Sequence, residues 1–168
     1  MRKDSRRELK EISVMLDDFN RPYISENGTG FYVEDSKKHN SPEEIYRFAR
    51  HIDLHKSAVE KVYMLLLDAA NHILSECMIS QGSVDRSLMP EREVCQTALL
   101  GGAVGVALIH NHPSSEVSPS DIDIGVTRKI QKALRGIGVK LLDHVIVGRD
   151  GYFSFLREGL FKDGDADV

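Results

Sequence analysis

Residues 104–109 constrain the fold more than any other stretch. They form a short apolar, β-branched run with Gly101-Gly102 before it and Pro113 after it, and such a run reads as a buried strand. Beyond it, Ser118-Pro119-Ser120-Asp121 has the form of a helix start, with a hydroxyl to cap the first turn and a proline where a helix tolerates one. That helix is predicted to run to about Arg135, ahead of Gly136 and Gly138. A buried strand that hands its chain to a long helix belongs to an α/β architecture.

The other stretches alternate between strand and helix signals. Residues 12–16 and 31–33 are strand-like, separated by Asn20-Arg21-Pro22 and Asn27-Gly28-Thr29-Gly30, and are expected to pair as a hairpin in an N-terminal extension over residues 1–40. The basic residues Arg2, Lys3, Arg6, Arg7 and Lys10 read as a solvated end. Ser41-Pro42-Glu43-Glu44 opens a helix with Ile45, Phe48 and Ala49 as its apolar face. Residues 62–67 are a central strand that returns over 73–80 after a turn at Ala69-Ala70-Asn71-His72. Pro90-Glu91-Arg92-Glu93 opens a second helix, expected to bury Val94, Ala98 and Leu99.

In the long helix, Ile122, Val126, Ile130 and Leu134 fall at core spacing, and Arg128, Lys129, Lys132 and Arg135 make a solvated positive region. Residues 140–147 and 152–155 are the last strands, joined by a tight turn at Gly148-Arg149-Asp150-Gly151. The expected organisation is a single α/β domain over residues 41–161, a mixed β-sheet flanked by helices, followed by an acidic tail at 162–168.

Composition narrows the function class. With 168 residues, 41% hydrophobic and 29% charged, the chain can bury a proper core without staples. A net charge of -4 gives no indication of a nucleic-acid partner. Cys77 and Cys95 form no CxxC pair, so neither a zinc ribbon nor a disulfide framework is indicated. The longest apolar run, at residues 64–67, is too short to span a bilayer, and a cytoplasmic location with no membrane partner is the expectation.

The chemistry concentrates behind the buried strand. His110 and His112 are two apart and so point to one side of its C-terminal end, while Ser120 and Asp123 share one face of the first helical turn. Catalytic zinc takes three imidazole or carboxylate ligands and keeps a fourth position for water, whose pKa it lowers toward about 7. His110, His112 and Asp123 supply such a set, and the Ser120 hydroxyl could stabilise a developing oxyanion. His51 and His55 have helical i, i+4 spacing without the intervening Glu of a zincin and read as bystanders. His144 reads as a hydrogen-bonded structural histidine, and Glu60, taken alone, as a surface carboxylate.

The run His110-Asn111-His112-Pro113-Ser114, a spacer, then Pro119-Ser120 and Asp123 resembles the JAMM (MPN/JAB-domain) metalloprotease motif, H-x-H-P-x(6)-S-x(2)-D. It is most similar to the RadC-like bacterial branch, which also has segments like Pro90-Glu91-Arg92-Glu93-Val94 and Leu142-Asp143-His144-Val145-Ile146-Val147-Gly148. The likeness covers roughly residues 60–161. The helix-hairpin-helix region of longer members is not recognisable, so the chain looks like the short form.

The resemblance implies a deaminase-like α/β fold and Zn2+ bound by His110, His112 and Asp123, with Ser120 as oxyanion residue. Glu60, just ahead of an apolar strand, occupies the place of the family's general base. The implied activity is hydrolysis of a peptide or isopeptide bond. The rival reading from the same resemblance is a DNA-repair-associated or partner-binding module in which the metal is not used catalytically. A zinc deaminase is excluded because the H-x-E and P-C-x-x-C pair is missing. Ser115 stands where the family usually has Gly, a residue that permits positive φ.

Overall fold

The apolar run at residues 62–67 needs cover on both faces, and the fold provides it with helices on each side of one sheet. A computed structural model describes residues 6–34, 41–82 and 89–161. The strands are β1 (Arg6–Leu16), β2 (Pro22–Glu34), β3 (Glu60–Leu67), β4 (Ile73–Gly82), β5 (Gly105–Asn111), β6 (Lys140–Val147) and β7 (Tyr152–Ser154). The helices are α1 (Pro42–His51), α2 (Glu91–Leu100) and α3 (Asp121–Gly136), with a 3₁₀ turn at Leu54–Lys56. Among the described residues the seven strands form one mixed sheet in the order β2-β1-β4-β3-β5-β6-β7. This is the α/β class, a mixed sheet flanked by helices, that the sequence predicts.

The strand β5 lies between antiparallel β3 and parallel β6, and all seven of its residues are buried. Ile45, Phe48 and Ala49 of α1 cover one face of the sheet, packing with Leu65, Leu67, Ile109 and Val145. Val94 and Ala98 of α2 and Ile130 and Leu134 of α3 cover the other, over Met64, Leu66, Val106 and Leu108. Ser41 accepts from the Glu44 backbone N–H and so caps α1 as expected.

Three expectations need correction. Ile122 is 73% exposed, because the inward face of α3 is set by Asp123, Thr127, Ile130 and Leu134. In α2, Leu99 is 56% exposed and Thr97 is buried in its place. The N-terminal end is not a solvated arm from Arg6 onward: that residue starts β1, and Arg7 donates to the carbonyls of Ile73 and Leu74. The hairpin joins the main sheet, with β1 running parallel to β4 at Lys10↔Ser75 and Glu11↔Glu76. The basic residues before Arg6 and the acidic tail at 162–168 lie outside the described residues. No helix of the described residues is long and apolar enough to cross a membrane.

Candidate metal centre

Strand alternation decides which side the site occupies. Val106 and Leu108 pack under α2 and α3, so His110, two further on, faces the same layer. Val62 of β3 pairs with His110, which puts Glu60 on that face one step beyond. The first turn of α3 then brings Asp123 down from the covering layer. The four sequence-predicted groups Glu60, His110, His112 and Asp123 come together, each offering one ligand atom within 4.8 Å of the others.

His110 Nε2 is 2.9 Å from His112 Nε2 and 3.4 Å from Asp123 Oδ1, and His112 Nε2 is 3.5 Å from Asp123 Oδ2. Donors bound at about 2.0–2.1 Å to a tetrahedral ion would lie about 3.3 Å apart. The observed separations bracket that value. His112 Nδ1 is 2.6 Å from the Glu116 carbonyl, which can only accept, so this nitrogen carries the proton and Nε2 faces the cluster as a lone pair in the neutral ring. The residues therefore fit a divalent cation with nitrogen and oxygen ligands.

The electrostatics agree with that fit. Burial pushes the Asp123 carboxyl up, but the adjacent His110 and His112 rings and the Ser120 hydroxyl outweigh it and hold the group far below the carboxylate range. The bond to Asp123 raises the His112 pKa against the effect of burial. Glu60 moves upward, burial outweighing the neighbouring His110 and His112. Ser120 sits beside Asp123 in a reciprocal capping box: its hydroxyl donates to Asp123 Oδ2 at 2.6 Å and accepts from the Asp123 N–H at 3.1 Å.

The family model described as "RadC-like JAB domain" matches residues 39–160. The chain belongs to the RadC-like JAB domain family. Similar relatives, each called a UPF0758 protein, include one from Trichlorobacter lovleyi, 38% identical over 76% of this chain and 55% of its own length. Another, from Methanosarcina mazei, is 37% identical over 79% of this chain and 57% of its own. The chain thus spans about half the length of the curated relatives it matches.

In this JAB domain the loop after β5 is held by backbone contacts. The His112 N–H donates to the Val147 carbonyl at 3.0 Å, and the Ser115 N–H to the His112 carbonyl at 2.8 Å. Ser115 takes a φ of 65°, the left-handed conformation for which Gly would be the easier residue. The loop then presses on Gly148, where an added Cβ would lie 2.7 Å from the Ser115 carbonyl oxygen. That approach is why the chain has glycine there.

Two residues outside the ligand set support the site, and only one of them, His144, has a role predicted from the sequence. Asn111, between the two histidines, points to the opposite face and ties down the segment leading to Glu60: its Oδ1 accepts from Lys61 N–H at 2.8 Å and its Nδ2 donates to Val59 O at 3.1 Å. Its position in a buried strand was the available signal, since a buried amide must find partners. His144 is fully buried and hydrogen-bonded, as predicted, and its partners are His110 at 2.7 Å and Thr127 at 2.7 Å. His51 packs at a tilt against Phe31 and His55 stands in the 3₁₀ turn, and neither belongs to the cluster.

Proposed function

We propose that this chain hydrolyses amide bonds as a JAMM-type peptidase or isopeptidase, with a zinc ion held by His110, His112 and Asp123. The observation that carries the reading is the convergence of two imidazoles and a carboxylate beside a second, partly buried carboxylate. Zinc bound there would supply Lewis acidity toward a carbonyl and an activated water. Glu60 stands 3.8 Å from His110 Nε2, and burial has raised its affinity for a proton. That suits a carboxylate that accepts a proton and delivers it to a departing amine, a role worth about 10²–10⁴ in rate. Ser120 would donate to the oxygen of the substrate carbonyl; in the metal-free chain its hydroxyl donates to Asp123 Oδ2.

The test begins with metal analysis of the purified protein beside His112→Ala. A cleavage screen over peptides and isopeptides then compares the wild type with Glu60→Gln. The expected result is zinc in the wild type, its loss in His112→Ala, and zinc without turnover in Glu60→Gln. A wild type without zinc would overturn the metal assignment, and full-rate cleavage by Glu60→Gln would remove the assigned base. Zinc uptake without cleavage, joined to salt-sensitive DNA binding, would move the conclusion to a DNA-associated module.

A further inference from the structure

The two proposed histidine ligands are braced differently, and one brace is ambiguous by itself. A ligating histidine normally donates its second ring N–H to a carboxylate, a backbone carbonyl or water. His112 does so, to the Glu116 carbonyl. His110 instead meets another imidazole, His144, and a neutral imidazole nitrogen can give or accept a proton. If His144 donated, His110 would carry its own proton on Nε2 and could not ligate. Something further along must decide the direction.

The deciding group is a backbone carbonyl on α3. The Thr127 hydroxyl lies 2.5 Å from the Asp123 carbonyl oxygen, which only accepts, so the hydroxyl proton is committed there. Thr127 Oγ1 must then accept from His144 Nδ1, 2.7 Å away. The His144 ring has no solvent exposure and stacks against Phe155 with centroids 4.7 Å apart, an environment for the neutral ring. With its proton on Nδ1, the lone pair of His144 is on Nε2. His110 Nδ1 is therefore the donor across the 2.7 Å contact, and His110 Nε2 presents a lone pair toward Asp123.

We infer that Thr127 and His144 are positioning residues that set the tautomer of His110 and so make its Nε2 available to a metal ion. The inference rests on the proposed metal reading. The relay starts on the main chain of Asp123 and ends on the atom that faces the Asp123 side chain, joining α3, β6 and β5 in one loop. Asp143 braces it from behind, accepting from the His144 N–H at 2.7 Å, from the Leu156 N–H at 3.0 Å and from the Ser154 hydroxyl at 2.6 Å. This gives a role to the Leu142-Asp143-His144 segment, which lies well outside the ligand motif.

The test uses Thr127→Val, which keeps the shape and removes the hydroxyl, and Thr127→Ser, which keeps the hydroxyl. Zinc affinity is read by competition with a chromophoric chelator. The protonated nitrogen of the His110 ring is read by nitrogen-15 NMR of metal-free protein at alkaline pH, where His112 carries no second proton. The expected result is a protonated Nδ1 in the wild type and in Thr127→Ser. Thr127→Val should show a mixture of tautomers and zinc binding weakened about 10–100-fold. A merely structural threonine would lower the melting temperature without moving the His110 signals. A wild-type His110 protonated on Nε2, or wild-type zinc affinity in Thr127→Val, overturns the relay. A wild type that shows the Nδ1 proton yet takes up no zinc overturns the metal reading instead, and with it the purpose assigned to the relay.

Discussion

Asp123 and Glu76 are both buried carboxylates, yet their surroundings push them in opposite directions. Asp123, at the start of α3, has the His110 and His112 rings beside it, accepts from the Ser120 hydroxyl and N–H, and stays ionised. Glu76, at the seam where β1 joins β4, is 3% exposed, has an Oε2 with no hydrogen-bond partner among the described residues, and faces Glu11 across the strands. Burial, with Glu11 adding to it, raises its pKa to about 8. Burial alone thus does not decide the charge of a carboxylate; the donors around it do. The candidate metal centre is the region where the fold brings those donors together.

The most damaging way to break this contrast is Asp123→Asn, which leaves a capping side chain but removes the negative charge. Zinc affinity is expected to fall by more than the roughly 10–100-fold that loss of a supporting partner costs, as read by chelator competition. Glu76→Gln should leave zinc binding untouched.

Metal loading sharpens the contrast by its pH dependence. The raised pKa of His112 contributes stability to the metal-free protein that is fully present below the ordinary histidine value of about 6.5 and is lost as pH rises through the folded value. A cation needs the unprotonated ring, so zinc binding should strengthen over the same rise. Melting curves with and without zinc should therefore diverge from neutral pH upward. At 1,000 times its dissociation constant, zinc would add about 4 kcal/mol. Curves that stay parallel across that range would mean His112 is not a ligand.

Glu76 predicts a smaller effect at the other region. Its raised pKa means that stability is full below the unfolded value near 4.5 and is lost as pH rises toward about 8. Glu76→Gln removes the charge that must be buried there, and should stabilise the protein by about 1–3 kcal/mol in denaturant titrations at pH 9. Little gain is expected at pH 5. An equal gain at both would show that packing, not charge, is responsible.

The smallest effect belongs to the loop that carries His112. Ser115→Gly relieves a left-handed backbone at φ 65° and should raise stability by about 1 kcal/mol, with zinc affinity unchanged. A loss of stability would mean that the Ser115 side chain makes a contribution larger than its backbone strain.

Much of the centre was legible because its parts obey local rules. Period-two alternation puts His110 and His112 on one side of a strand, and the capped first turn of α3 puts Ser120 beside Asp123. The Ile122 expectation failed for a related reason. Hydrophobic spacing gives a helix its period, but a helix whose inward face begins at a polar site is turned so that Asp123 points in and Ile122 points out. The hairpin was readable from its turn residues, whereas its parallel pairing with β4 joins residues about sixty-five positions apart and leaves no local mark.

The sequence by itself determined the α/β class, the strand that carries two imidazoles and the candidate ligands, since each depends on neighbours within a turn or a strand. Only the tertiary structure decided that Glu60 lies beside them, that Asn111 anchors its segment, and that His144 and Thr127 direct a proton on His110. Those relations run between strands and helices that meet in space, and a hydrogen bond depends on distances of a few tenths of an ångström that spacing along the chain does not encode.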